Sequence, residues 1–243
     1  MTKPLFGNSA GAGAIAALVF LVASHACASA QGKPSFDCAN ASSIAEKAIC
    51  ADPALAEADA AVAQSYAQAL KALDPRAGKA LRDDQRDFTQ YRDDIAAFNE
   101  NTPKDKQTFD LEEFLRDRAA FLDSIKAPAP WDFVGTWSNV RGEVEIKAAA
   151  AGTLDVSADT VNNPVSGSGS CEIGGTVPDR KQLRLVDTDD NDKPTGFVFT
   201  FRRDGDQLIV EQSGSGKDDR SEPPSCGANG HVDGNFFQTD RQK

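Results

Sequence analysis

The sequence predicts an α+β protein in two successive parts, helices first and antiparallel strands after. Three observations carry this expectation. Up to about position 126, apolar residues recur at three- and four-residue steps. Beyond about 132 they alternate with polar ones in short runs separated by turn residues. Between the two parts stands Ala127-Pro128-Ala129-Pro130, stiff and extended by composition. The expected boundaries are a leader at 1–30, a helical domain at 31–126, a linker at 127–131 and a β domain at 132–243.

The leader comes first in the chain. Lys3 supplies a positive start, Gly11 to Ala23 is an apolar run, and Ala28-Ser29-Ala30 fits the small-x-small rule for signal peptidase. A spanning helix needs about 20 apolar residues, and this run is shorter. Cys27 as a lipidated residue would call for a Leu-like residue where Ser24 stands. Cleavage near Ala30 and a periplasmic or secreted product are therefore expected, with no membrane attachment afterwards.

In the helical part, Ser42 or Ser43 can cap a short helix, with Glu46 placed as in a capping box. Asp52-Pro53 pairs an N-cap with proline at the first helical position, and the stripe Leu55, Val62, Tyr66, Ala69 or Leu70, and Leu73 follows. Asp74-Pro75 repeats the signal, followed by Leu81, Phe88, Tyr91, Ile95 and Phe98. Residues 99–109 are polar and turn-rich, and Asp110 can cap a last helix carrying Leu111, Phe114, Leu115, Leu122 and Ile125. Two long antiparallel helices with a short one before and another after form the expected bundle or hairpin.

The alternating runs then lie at 133–138, 143–148, 153–158, 171–177, 182–187, 196–203, 207–212 and 231–238. Seven or eight strands at this spacing predict a small antiparallel barrel or sandwich. Asp204-Gly205 marks a hairpin between two of the clearest strands. Val134-Gly135-Thr136-Trp137 looks like the Gly-x-Trp that opens a lipocalin-type first strand.

With the leader removed, Cys38, Cys50, Cys171 and Cys226 remain, an even count that suits disulfides in an exported chain. Three connectivities are possible. Cys38–Cys50 with Cys171–Cys226 is favoured, because each pair lies within one compositional region. Cys38–Cys50 then staples a helix too short to hold itself together.

The net charge is −11, or −12 once Lys3 leaves with the leader. Both parts are acidic: 13 basic and 18 acidic residues lie at 31–130, and 12 and 19 beyond. Nucleic acid and anionic membranes are poor partners for such a chain, whereas a cationic partner is steered toward it.

Little in the sequence points to catalysis. His25 belongs to the leader, so His231 is the one histidine left, and no nucleophile-elbow motif accompanies it. It reads as a polar residue at a strand start. No CxxC offers zinc ligands. Asp187, Asp189 and Asn191 fall at calcium-loop positions, but Asp192 and Val198 stand where the template needs Gly and Glu. That segment reads as an acidic hairpin tip. Asp83/Asp84, Asp93/Asp94 and Glu112/Glu113 could suggest glycosidase carboxylates, but neighbours in a helix point about 100° apart and read as solvated faces. The Gly/Ser stretches 162–170 and 213–227 read as loops that a Cys171–Cys226 bond would tie into a binding face. No cofactor, metal or catalytic residue is expected.

The helical part resembles the LprI-type lysozyme-inhibitor domain. The residues carrying the resemblance are Cys38, Ala45-Glu46-Lys47-x-Ile49-Cys50, Leu55, Asp59 and Tyr66, then Leu81 and Gln85-Arg86-x-Phe88-x-x-x-Arg92-Asp93. A fainter block is Leu115-x-x-Arg118-x-x-x-Leu122. The family usually has Trp where Phe88 stands. Many members also carry a second cysteine pair where residues 94–110 have none. The resemblance implies inhibition of lysozyme in the bacterial envelope. A non-catalytic, monomeric exported protein that binds a basic partner such as lysozyme is the expected function. The alternative is a general periplasmic module binding a small ligand or cell-wall fragment through the β domain. An apolar interior with room would favour that alternative.

Overall fold

A computed structural model describes residues 32–150, 152–163, 165–189, 191–215 and 222–240. The leader, its cleavage site, Cys27 and His25 lie outside the described residues.

Four helices come first: α1 (Ile44–Ala51), α2 (Pro53–Ala72), α3 (Pro75–Glu100) and α4 (Leu111–Ser124). Each begins at the cap its sequence announces. Ser43 and Glu46 form a reciprocal capping box on α1. Asp52 accepts from the Ala54 N–H, Asp74 from Arg76 and Ala77, and Asp110 from Glu112 and Glu113. The bundle packs differently from a simple pair of long helices. α2 lies closest to α4, not to α3, its neighbour in the chain. Small residues are buried along α2 (Ala56, Ala58 and Ala69). The bulky buried residues of α3, Leu81, Phe88 and Ile95, fill the rest of the helical core.

Eight strands follow: β1 (Gly135–Asn139), β2 (Gly142–Ala148), β3 (Thr153–Asn163), β4 (Ser168–Pro178), β5 (Gln182–Thr188), β6 (Pro194–Asp204), β7 (Gln207–Gly214) and β8 (Gly234–Thr239). They form one antiparallel sheet in the order β4-β3-β2-β1-β8-β7-β6-β5, a nearly closed barrel. Strand residues alternate between interior and solvent, as in β3 and β5. The interior is filled by side chains, among them the fully buried Trp137, Phe199, Phe201 and Phe236. Trp137 sits in β1 and donates its indole N–H to the Phe133 carbonyl at 2.8 Å.

The two disulfides are Cys38–Cys50 and Cys171–Cys226. The second does not join two projecting loops. Cys171 lies within β4 and is buried. Cys226 forms a bridge with it, flanked by Glu172 N–H to Ser225 carbonyl (3.1 Å) and Gly227 N–H to Ser170 carbonyl (2.7 Å). Ser225 also donates to Asp187 on β5 at 3.0 Å. The Cys226 segment thus links the two edge strands that the ladder leaves open, which covers edges otherwise free to pair elsewhere. Asp187 is buried in this role, while Asp189 turns the β5–β6 hairpin by accepting from Asn191 and Lys193 N–H groups.

Helices and barrel meet along β8. Phe236 points into the barrel, and its neighbour Phe237 joins the helical core. The chain leaving α4 pairs with β8: Ile125 bridges Thr239, and the Lys126 N–H bonds the Gln238 carbonyl at 2.9 Å. The described residues belong to one compact unit.

Candidate functional site: a groove at the ends of α3 and α4

A groove of about 950 Å³ lies among α1, the end of α3, the loop 101–110 and the start of α4. Its apolar surface includes Ala48, Leu55, Ala96, Phe109 and Leu111. Carboxylates outnumber amines around it: Asp52, Glu100, Asp110, Glu112 and Glu113 against Lys47 and Lys104. Glu112 holds Arg116 at 2.7 Å, and Glu113 is exposed at the start of α4. A cleft with an apolar lining and an anionic rim suits a basic, partly apolar protein edge.

The loop that shapes the groove has no cysteine, and other contacts hold it. Gln107 donates to the carbonyls of Asn99 (2.7 Å) and Thr102 (3.0 Å), and Asn99 donates to the Phe109 carbonyl at 3.1 Å. Phe98 and Phe109 meet edge to face at 5.6 Å. The Asn99 Oδ1 is buried without a hydrogen-bond partner, an acceptor left over at the groove wall. The turn-rich composition of 99–109 announces a loop but not this bracing.

The motif residues lie in several separate places. Leu55 lines the groove. Asp59 is buried and accepts from the Ser35 N–H at 2.7 Å, fixing the lead-in to Cys38. Arg92 is buried against Asp93, which also receives Ser43 from the α1 cap at 3.4 Å. Gln85 and Phe88 surround Arg118. That guanidinium donates to Asp84 (2.7 Å) and Gln85 (2.7 and 3.0 Å) and stacks over the Phe88 and Phe121 rings. Phe88 stacks on Phe114 at 5.0 Å. Arg86 stays on the surface with Asp83. Tyr66 is half-buried, and burial pushes its hydroxyl above the ordinary tyrosine value despite Arg82, Arg118 and Arg86 nearby. Most of these residues position helices; Leu55, with Lys47 from the first block, lines the groove.

Two expectations need correction. Asp84 is not on a solvated face: only 8% of its side chain is exposed, and it also accepts the Val140 N–H at 2.8 Å from the β1–β2 turn. Docking of the barrel turns one of two adjacent aspartates inward, which helical periodicity alone does not distinguish. His231 stands ahead of β8, not at its start. Asn162 fixes it from both sides, accepting its backbone N–H at 2.9 Å and donating to Nε2 at 2.7 Å. Asp233 at 3.1 Å and the Arg141 guanidinium at 3.3 Å both stand against Nδ1. Among the described residues, no three metal-ligating side chains come together.

The fold and groove together define a disulfide-stapled α+β protein with an acid-rimmed cleft on its helical side. Residues 38–124, which span the helical part, match the family model described as lysozyme inhibitor LprI. The match ends before β1. No curated protein and no solved structure matches the chain.

Proposed function

We propose that this is an exported, monomeric envelope protein that binds a basic lysozyme-like muramidase at the α3–α4 groove and inhibits it without catalysis of its own. One observation carries the reading: the segment matching a lysozyme-inhibitor family is the segment that builds the acid-rimmed groove. The −11 charge steers a cationic enzyme toward the protein. Export is supported by the leader pattern and by two disulfides, which persist in oxidising compartments. No helix among the described residues is long and apolar enough to cross a membrane. The alternative needs space inside the barrel, and that interior is occupied by Trp137, Phe199, Phe201 and Phe236.

The test is titration of the purified chain into a lysozyme cell-wall lysis assay at low salt, with size-exclusion chromatography reporting the oligomeric state. Inhibition that weakens with salt is expected. Glu100→Lys with Glu113→Lys should weaken it about tenfold or more, and Glu172→Lys on the barrel much less. Absence of inhibition at about ten-fold molar excess under steered, low-salt conditions overturns the reading. Equal loss from the barrel substitution removes the groove from it.

A further inference from the structure

A second crevice, of about 430 Å³, lies where the linker crosses the β6–β7 hairpin. One wall is Pro128, Pro130 and Trp131. Trp131 is 79% exposed, the most exposed large apolar side chain among the described residues. Its φ is 63°, a left-handed conformation that bulky residues rarely adopt. The segment is held there on both sides. The Asp132 N–H reaches the Ala129 carbonyl at 3.3 Å, Asp132 accepts from the Val134 N–H at 2.9 Å, and its carbonyl takes a guanidinium N–H from Arg203. Arg203 is anchored in turn over the buried Trp137 ring, 4.5 Å from its centroid. The indole is thus presented by a braced backbone rather than hanging from a loose loop. Strain of this kind persists only where surrounding structure enforces it.

The opposite wall is polar. Arg76 pairs with Asp204 at 2.5 Å. Asp206 exchanges bonds with Asp74, its carboxylate receiving the Asp74 N–H at 2.8 Å and its N–H donating to the Asp74 carboxylate at 2.7 Å. The crevice holds two arginines and two aspartates, so it is close to neutral within a strongly acidic chain. Neither a cation nor an anion is favoured there. Arg76 has guanidinium hydrogens to spare, and the carboxylates keep unused lone pairs. An exposed aromatic face beside fixed donors and acceptors, in a volume at the low end of ligand sites, suits a ring with one apolar C–H face and a rim of hydroxyls.

We propose that this crevice binds an uncharged saccharide, with Trp131 as the stacking platform and Arg76, Asp204 and Asp206 as hydroxyl partners. The reading does not rest on lysozyme inhibition and is tested without it. The chain has two tryptophans, and Trp137 is fully buried, so ligand-induced change in emission reports on Trp131. Maltotriose and chitotriose, both uncharged, are titrated separately into the full chain, with glucosamine and galacturonate as charged controls. A saturable blue shift with either oligosaccharide is expected, absent in Trp131→Ala and needing about tenfold more sugar in Arg76→Gln. Calorimetry repeats the titration without a fluorescent reporter. Circular dichroism and thermal unfolding check that each variant folds; should Trp131→Ala fail, Trp131→Gly removes the ring while accepting the positive φ. No saturable signal from either sugar, a signal that survives loss of the indole, or binding of the charged controls alone overturns the proposal.

Discussion

Replacing Asp84 with alanine probes the contact on which the helical core and the barrel both depend. The carboxylate serves two partners at once, the Arg118 guanidinium at 2.7 Å and the Val140 N–H at 2.8 Å. Both members of the ion pair are almost fully buried, with side-chain exposures of 3% for Arg118 and 8% for Asp84. Breaking a buried pair by removing one partner costs about 3–5 kcal/mol, because the remaining charge is stranded. Gln85 and the rings of Phe88 and Phe121 still surround Arg118, which holds the figure toward the lower end. The orphaned Val140 N–H adds about 1 kcal/mol. A total near 4 kcal/mol follows, a large share of the roughly 5–15 kcal/mol by which a protein is stable. Urea unfolding with disulfides intact, followed by emission of the buried Trp137, should show the midpoint falling by about 2 M, for a slope near 2 kcal/mol/M. Asp84→Ala combined with Arg118→Met removes the stranded charge and lets the thioether rest on Phe88 and Phe121. The double variant should recover about 2 kcal/mol relative to the single, a coupling typical of contacting residues. A cost below about 1 kcal/mol for Asp84→Ala, or simple additivity of the two changes, would refute the buried-pair argument.

Three further outcomes follow from the same geometry. Removing Cys38–Cys50, which closes a 12-residue separation, should cost about 3 kcal/mol in the chain-entropy model, and removing Cys171–Cys226, with a separation of 55, about 4 kcal/mol, both read from urea midpoints of the Cys→Ala pairs. Gly205 has φ 63°, and an added Cβ would strike the Asp74 carboxylate, so Gly205→Ala should lower stability by about 2 kcal/mol while Gly152→Ala, in open space, costs less. Burial alone would raise the Asp74 carboxyl, but N–H groups of Asp206, Ala77 and Arg76, with the Arg76 charge, outweigh it and hold the group below the ordinary carboxylate range. A lowered folded-state value contributes stability above the unfolded value, about 3.9, that is lost as pH falls through the folded one. Urea midpoints between pH 7 and pH 3 should therefore fall less in Asp74→Asn than in the parent chain, and an equal fall in both would exclude this carboxylate as the cause.

Much of the fold is legible because its signals are local. An N-cap aspartate followed by proline needs nothing from the rest of the chain, and Asp52-Pro53 and Asp74-Pro75 start α2 and α3 where they stand. Alternation is equally local, and it is plain in strands such as β3 and β5. What is not legible depends on which surface meets which. Asp83 and Asp84 are the same residue type on the same helix, yet one pairs with surface Lys79 and Arg86 and the other lies buried beneath a β-turn. Phe236-Phe237 did hold a clue, since two adjacent large apolar residues in a strand imply burial on both faces. The groove draws on residues from 44 to 113, brought together by packing, so no single run announces it. Trp131 is visible as an aromatic residue in a proline-rich linker, but its exposure and left-handed backbone come from the turn that Arg203 braces.

The way helices and barrel are joined bears on how the inhibitor reading can be tested. A helical fragment ending at residue 126 would lose the Lys126–Gln238 and Asp240–Ser124 backbone bonds, the Val140 donor to Asp84 and the reciprocal Asp74–Asp206 pair. It would also uncover the part of the helical core that Phe237 closes. Those groups sit at α3 and at the end of α4, the two helices whose other ends frame the groove. Loss of binding by such a fragment would therefore report lost packing as readily as a missing contact surface. Charge reversal at Glu100 and Glu113 in the intact chain avoids this, because both side chains are exposed and far in sequence from every residue at the helix–barrel contact except those of their own helices. If affinity falls with those substitutions while the urea midpoint holds, the groove is the contact surface and the barrel acts as its support.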